Sequence, residues 1–129
     1  MEQKEIEEGN KIIAEFLYDS KDWKYLGQQY SIFPNLLHYH TNFSSLMEVV
    51  EKIESIRNEE FGWFQVYIHG NVCSIESKYL HLATAGQDYS EEYQKRSYMS
   101  DPNAVFPTKI ESTWYNVVKF IEWYNKQDK

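Results

Sequence analysis

The stretch that decides the fold is WFQVYIHGNVCSIES, residues 63–77. Gly70-Asn71 stands between two runs of alternating character, which is the signature of a two-residue hairpin loop; glycine tolerates the positive φ that such loops require. A loop of that length fixes the register. His69 falls opposite Val72, Ile68 opposite Cys73, Val66 opposite Ile75 and Phe64 opposite Ser77. Because side chains alternate along a strand, Phe64, Val66 and Ile68 share one face with Cys73, Ile75 and Ser77. The other face carries Trp63, Gln65, Tyr67 and His69 beside Val72, Ser74 and Glu76. The first face is apolar and must meet helices, whereas the second is polar and aromatic.

Helical patterns lie on both sides of this hairpin. From Glu5 to Leu17, Ile6, Ile12, Ile13, Phe16 and Leu17 gather on one side of a helical wheel, with acidic residues ahead of Gly9 and Asp19-Ser20 as a stop. Gly9 reads as a weak point or a late start. Ser45-Leu46-Met47-Glu48 matches a capping box, and Leu46, Val49, Val50, Ile53 and Ile56 then recur at helical steps, turning Glu48, Glu51, Lys52 and Glu54-Ser55 to solvent. Thr108-Lys109-Ile110-Glu111 is a second box, followed by a stripe of Trp114, Val117, Val118, Ile121 and Tyr124, with Tyr115 and Trp123 off the stripe. Between the helices, Lys21 to Asn35 suits short strands and turns, Leu36 to His40 alternates as a strand, and Tyr79 to Thr84 offers a third strand. The expected architecture is a single α+β domain over residues 1–129, a small antiparallel sheet built on the hairpin and packed with three helices in a sandwich-like arrangement.

Composition excludes several roles. A chain of 129 residues is one domain by length and buries about two-thirds of its unfolded surface, enough for a core without staples. The net charge of −7 disfavours an extended nucleic-acid partner, which would need a cationic face. Cys73 is the single cysteine, so neither an intrachain disulfide nor a cysteine zinc site can form. No apolar run is long enough to cross a membrane, and the acidic start MEQKEIEEG is unlike a signal peptide. A soluble protein of the cytoplasm is expected.

The chemistry-bearing residues are few. His38 and His40 share a strand face, but zinc needs three or four ligands; the plainer reading packs Tyr39 inward and leaves the histidines bordering the sheet, ahead of a helix capped by Thr41 or Ser45. Glu59-Glu60 and Glu91-Glu92 are adjacent carboxylates whose side chains diverge, and no nucleophile elbow or phosphate loop occurs. No catalytic set, metal or cofactor is therefore expected. Residues 78–107 form a long irregular connection, the kind that carries sites. There Tyr89, Tyr93 and Tyr98 supply rings that stack on bases, and Lys95, Arg96 or Lys109 supply charge for phosphates, with Tyr67 and His69 of the hairpin's polar face joining the candidate ligand set. Two other readings stand beside this one. Asp88 to Met99 forms a helical turn that docks Tyr89 and Tyr93 on the core, or the rings join Trp63, Tyr67 and Trp123 in a protein-binding patch.

Three stretches, NKIIAEFL at 10–17, HYHTNFSSLMEVVEKIES at 38–55 and WYNVVKFIEWYN at 114–125, resemble small phage and prophage proteins of the phage ABA-sandwich type. The resemblance covers about a third of the chain. It departs at Phe43-Ser44-Ser45, where the family pattern carries tryptophan, and in the long tyrosine-rich segment 78–107. It implies a phage accessory protein of the host bacterial cytoplasm, and the sharpest function it implies is counter-defence by sequestering a small nucleotide signal; a binder of that kind is expected to act as a homo-oligomer with its site near a subunit boundary. The alternative is a module that inhibits a host protein through an acidic, aromatic surface.

Overall fold

The computed structural model describes residues 2–18, 38–57, 62–78, 98–101 and 106–127. Helix α1 (Gln3–Leu17), helix α2 (Phe43–Ser55), strands β1 (Trp63–His69) and β2 (Val72–Lys78) and helix α3 (Lys109–Asn125) follow in that order. The expected strands and turns of 21–37, the third strand at 79–84 and the docking turn from Asp88 lie outside the described residues.

The hairpin has the register that its loop dictates: His69 pairs with Val72, Ile68 with Cys73, Val66 with Ile75 and Phe64 with Ser77. Gly70 has φ of 57°, and a Cβ there would meet nothing within 4 Å, so backbone conformation and not crowding is what calls for glycine. A third short segment extends the sheet. Ser77 N donates to Tyr98 O at 3.0 Å and Ser100 N to Ile75 O at 3.1 Å, which sets Met99 beside Glu76 on the outer edge of β2. Two hydroxyls reinforce the pairing, since Ser77 Oγ accepts from Tyr98 N and Ser100 Oγ accepts from Ile75 N, each at 2.6 Å.

The inner face of the sheet packs on helices, β1 against α2 and β2 against α3, while α1 packs on α3 away from the strands. Phe64, 1% exposed, is the hub, with its ring centroid 4.7 Å from Phe120, 5.8 Å from Trp123 and 6.4 Å from Tyr124, all edge to face. Cys73 and Ile75 fill the same layer from β2, and Leu46, Val49, Val50 and Ile53 fill it from α2. Trp123 is thus packed on the sheet's inner side, and Tyr115 packs on Phe106 at 4.7 Å.

Several local expectations change. Residues 38–41 form a turn, not the end of a strand, because His38 O accepts from both Thr41 N at 3.0 Å and Asn42 N at 2.9 Å. Helix α2 is capped by Asn42, whose Oδ1 accepts from Ser45 N at 3.1 Å. Asparagine caps as well as serine, and Ser45 is itself the residue being capped. Thr108 does cap α3 as its box requires, accepting from Glu111 N at 3.2 Å. On α2, Lys52 and Glu54 do not face solvent alone. Lys52 Nζ donates to Phe16 O and Leu17 O, closing the carbonyl end of α1, and Glu54 Oε2 accepts from Val66 N of β1 at 3.2 Å.

Helix α1 buries Gly9, Asn10, Ile13 and Ala14 most deeply, and leaves Ile6, Ile12, Phe16 and Leu17 half-buried. The stripe is rotated towards small and polar residues because the Trp114 indole lies against Gly9. Gly9 is therefore a contact and not a weak point.

Candidate functional site

The outer face of the sheet is built by parity. Every residue out of phase with Phe64 and Ile75 turns away from the helices, so Trp63, Gln65, Tyr67 and His69 stand beside Val72, Ser74, Glu76 and Lys78, with Met99 at the margin. His69 and Gln65 are exposed, Trp63 and Tyr67 half-buried. Val72 is 47% exposed and Met99 74%.

Cations border the rings on this face. Lys78 Nζ lies 5.5 Å from the centre of the Tyr67 ring and 3.5 Å from Glu76 Oε1. The Tyr67 hydroxyl foremost, and then Glu76, hold the Lys78 ammonium above the ordinary lysine range. Tyr67 in turn donates its hydroxyl proton to Gln65 Oε1 at 3.0 Å. At the other end, the Arg57 guanidinium sits 5.9 Å from the Trp63 ring, anchored through Nη1 to Glu54 O and Ile56 O at the end of α2. The face therefore presents rings on β1, bordered by one cation from β2 and one from the end of α2.

Tyr67 and His69 occupy this face together. Tyr98 does not join them: it points inward, 5.3 Å from Phe120 and 5.2 Å from Trp123 between ring centroids, and burial pushes its phenol up to about 12. Tyr89, Tyr93, Lys95 and Arg96 lie outside the described residues, as do Glu59-Glu60 and Glu91-Glu92. Sequence reasoning missed Met99. It belongs to a pairing segment too short for periodicity to reveal.

The histidine motif is part of the turn before α2. Tyr39 is 8% exposed and its phenol is pushed up to about 12, by burial first and then by Tyr18 and Glu48. The His38 and His40 rings lie 6.3 Å apart, and His40 Nδ1 is 3.0 Å from Asn10 Nδ2 on α1. Among the described residues, no group of three His, Cys, Asp or Glu side chains is placed to hold a metal ion.

Two open clefts lie on the described surface. One, of about 160 Å³ between α1 and α3, is lined by Glu5, Glu8 and Glu122 over Trp114 and Tyr115, with Lys119 at its side. The other, of about 290 Å³, lies over Phe16, Lys52 and Tyr124. Neither contains Tyr67, His69 or Tyr98, and the carboxylates of the first repel a phosphate. No helix among the described residues is long and apolar enough to cross a membrane. No family model, no curated protein and no solved structure matches this chain.

Proposed function

We propose that this chain is a non-enzymatic binding protein that docks a protein partner on the outer face of its sheet. The observation that carries the reading is the exposure of Val72 and Met99 beside Tyr67 and Trp63 on one rigid surface. Aromatic residues and methionine are enriched where protein partners meet. The two seven-residue strands, spaced by about 4.8 Å, together with the short 98–100 segment beside β2, span roughly 280 Å², well under half of the ~800 Å² per partner of a standard interface. The face is then the centre of a larger contact. The resemblance to phage accessory proteins supports a host protein as the target, inhibited as a counter-defence measure.

A nucleotide signal is the second reading, favoured by the Tyr67 ring with the Lys78 ammonium above it and His69 further along the strand. Such a pairing stacks a base and meets a phosphate. A photo-crosslinking residue at Ser74, in the middle of the face, and one at Lys11 on α1 separate these readings. The protein reading requires a discrete adduct from bacterial lysate at position 74 and not at 11, lost when Val72→Glu and Met99→Glu are combined. Equal labelling from both positions, or an adduct indifferent to the double variant, refutes it. A thermal shift with cyclic or linear nucleotides that is abolished by Tyr67→Ala would replace it with the second reading.

A further inference from the structure

We infer that the Trp114–Asn10–His40 hydrogen-bonded relay is an acid-sensitive latch that fastens the turn before α2 onto α1. Trp114 Nε1 can only donate, and it donates to Asn10 Oδ1 at 2.8 Å in a site where Trp114 is 1% and Asn10 0% exposed. That bond fixes which way the Asn10 amide faces. Its nitrogen, Nδ2, is therefore the atom presented to His40 Nδ1 at 3.0 Å. An amide NH₂ has only protons to offer, so Nδ1 must accept, and the ring is held as the neutral tautomer with its proton on Nε2.

Protonating His40 places an N–H against an N–H. Turning the amide over would satisfy the imidazolium but would leave the buried indole proton facing another donor, so neither orientation of the Asn10 amide suits both a charged His40 and Trp114. Among the described residues, the groups around His40 agree in sign. Helix α1 presents the neutral Asn10, α3 presents the neutral Trp114 behind it, and the turn itself presents His38, whose charge opposes a second one nearby. Burial first, and His38 second, hold His40 below the usual histidine value of 6.5. Tyr39, the other titratable group of the turn, stays neutral, and the Glu48 carboxylate of α2 acts on Tyr39.

The turn is worth latching because it carries the cap of α2. His38 O holds the Thr41 and Asn42 amides, and Asn42 Oδ1 holds the first turn of the helix. Opening the turn lets His40 protonate freely; the closed turn resists it. The open fraction therefore rises as pH falls through the open-state value near 6.5 and levels off below the closed-state value. At one pH unit below 6.5 the limit is about a tenfold increase. The latch is independent of what the outer sheet face binds.

Nitrogen-15 spectra of the histidine rings, with amide exchange at Thr41 and Asn42 corrected for intrinsic chemistry, test this. At pH 7.5, His40 Nδ1 must show the shift of an unprotonated acceptor; a proton on Nδ1 overturns the relay in the wild-type chain without any variant. Between pH 7.5 and 5.5, opening at Thr41 and Asn42 must rise, by no more than about tenfold, in the wild type and in His38→Gln. It must stay flat in His40→Gln, whose amide oxygen accepts from Asn10 without titrating. An identical pH response in His40→Gln and wild type overturns the latch.

Discussion

Replacing Gly9 by alanine tests whether the spacing of α1 and α3 is set by an indole pressed on bare backbone. At a solvent-facing helical position the exchange stabilises by about 1 kcal/mol, through helix propensity and a less flexible unfolded chain. Here a Cβ would lie 2.6 Å from Trp114 Cη2 and 3.2 Å from Cε2, with Cζ2 closer still. Carbon atoms prefer about 3.5–4.0 Å, so something must retreat by about 1 Å. The indole has little freedom to do so. It is 1% exposed, and its Nε1 is bonded at 2.8 Å to Asn10, the residue following Gly9 on the same helix. Overpacking of this kind typically costs about 1–3 kcal/mol, and loosening the indole bond about 1 kcal/mol more. Set against the propensity gain, the expected result is a net loss of about 1–3 kcal/mol, or roughly 3–10 °C in Tm for a chain of this size. Urea unfolding followed by circular dichroism measures it. In a Trp114→Phe background the smaller ring removes the contact, and Gly9→Ala there should be neutral or stabilising. Stabilisation of the wild type by Gly9→Ala, or equal penalties in both backgrounds to within about 0.5 kcal/mol, would refute the reasoning.

Two further predictions read other parts of the fold. Cys73 is 4% exposed and burial pushes its thiol up to about 11, so the native protein should leave a disulfide reagent unreacted at pH 8 over a period in which the urea-unfolded chain reacts completely; rapid reaction of the folded protein would show that β2 does not bury it against α3. Lys52→Met keeps an apolar stem near the Phe16 ring but removes the donor to Phe16 O and Leu17 O, and should lower stability by about 1–2 kcal/mol in urea unfolding. A change under about 0.3 kcal/mol would mean that the end of α1 is satisfied without it.

The hairpin was legible because parity is a strong constraint: once Gly70-Asn71 fixes a two-residue loop, every side chain from 63 to 78 is assigned a face. The helices were legible for a similar reason, since their stripes repeat over several turns. What escaped was long-range. Gly9 looks like a flaw in α1 until Trp114 is placed against it, and Asn10 looks like a surface polar residue until the indole 104 positions away donates to it. Lys52 and Glu54 lie off the apolar stripe of α2, and a helical wheel shows which residues avoid the core without showing what else packs beside them. Tyr98 joined the candidate ligand residues by its neighbours in sequence, yet the pairing of Ser77 and Ser100 with the 98–100 segment turns it inward and Met99 outward.

The same pairing bears on how the sheet can be used. Residues in non-hydrogen-bonded pairs of an antiparallel hairpin aim their amides away from the partner strand, so Phe64, Val66 and Ile68 define the outer edge of β1, and Cys73, Ile75 and Ser77 that of β2. On β2, Ile75 and Ser77 are already engaged by 98–100 through both backbone and hydroxyl groups. On β1, the central amide, Val66 N, is taken by the Glu54 carboxylate, and an inward charge at a strand edge discourages another strand from adding there. Recognition by strand addition depends on free main-chain groups, whereas recognition through a face depends on side chains. With the centre of one edge and most of the other engaged, a partner docking on this sheet reads Tyr67, Val72, Met99 and their neighbours. Its affinity should therefore respond to substitutions at those side chains and be insensitive to removing the Glu54 carboxylate.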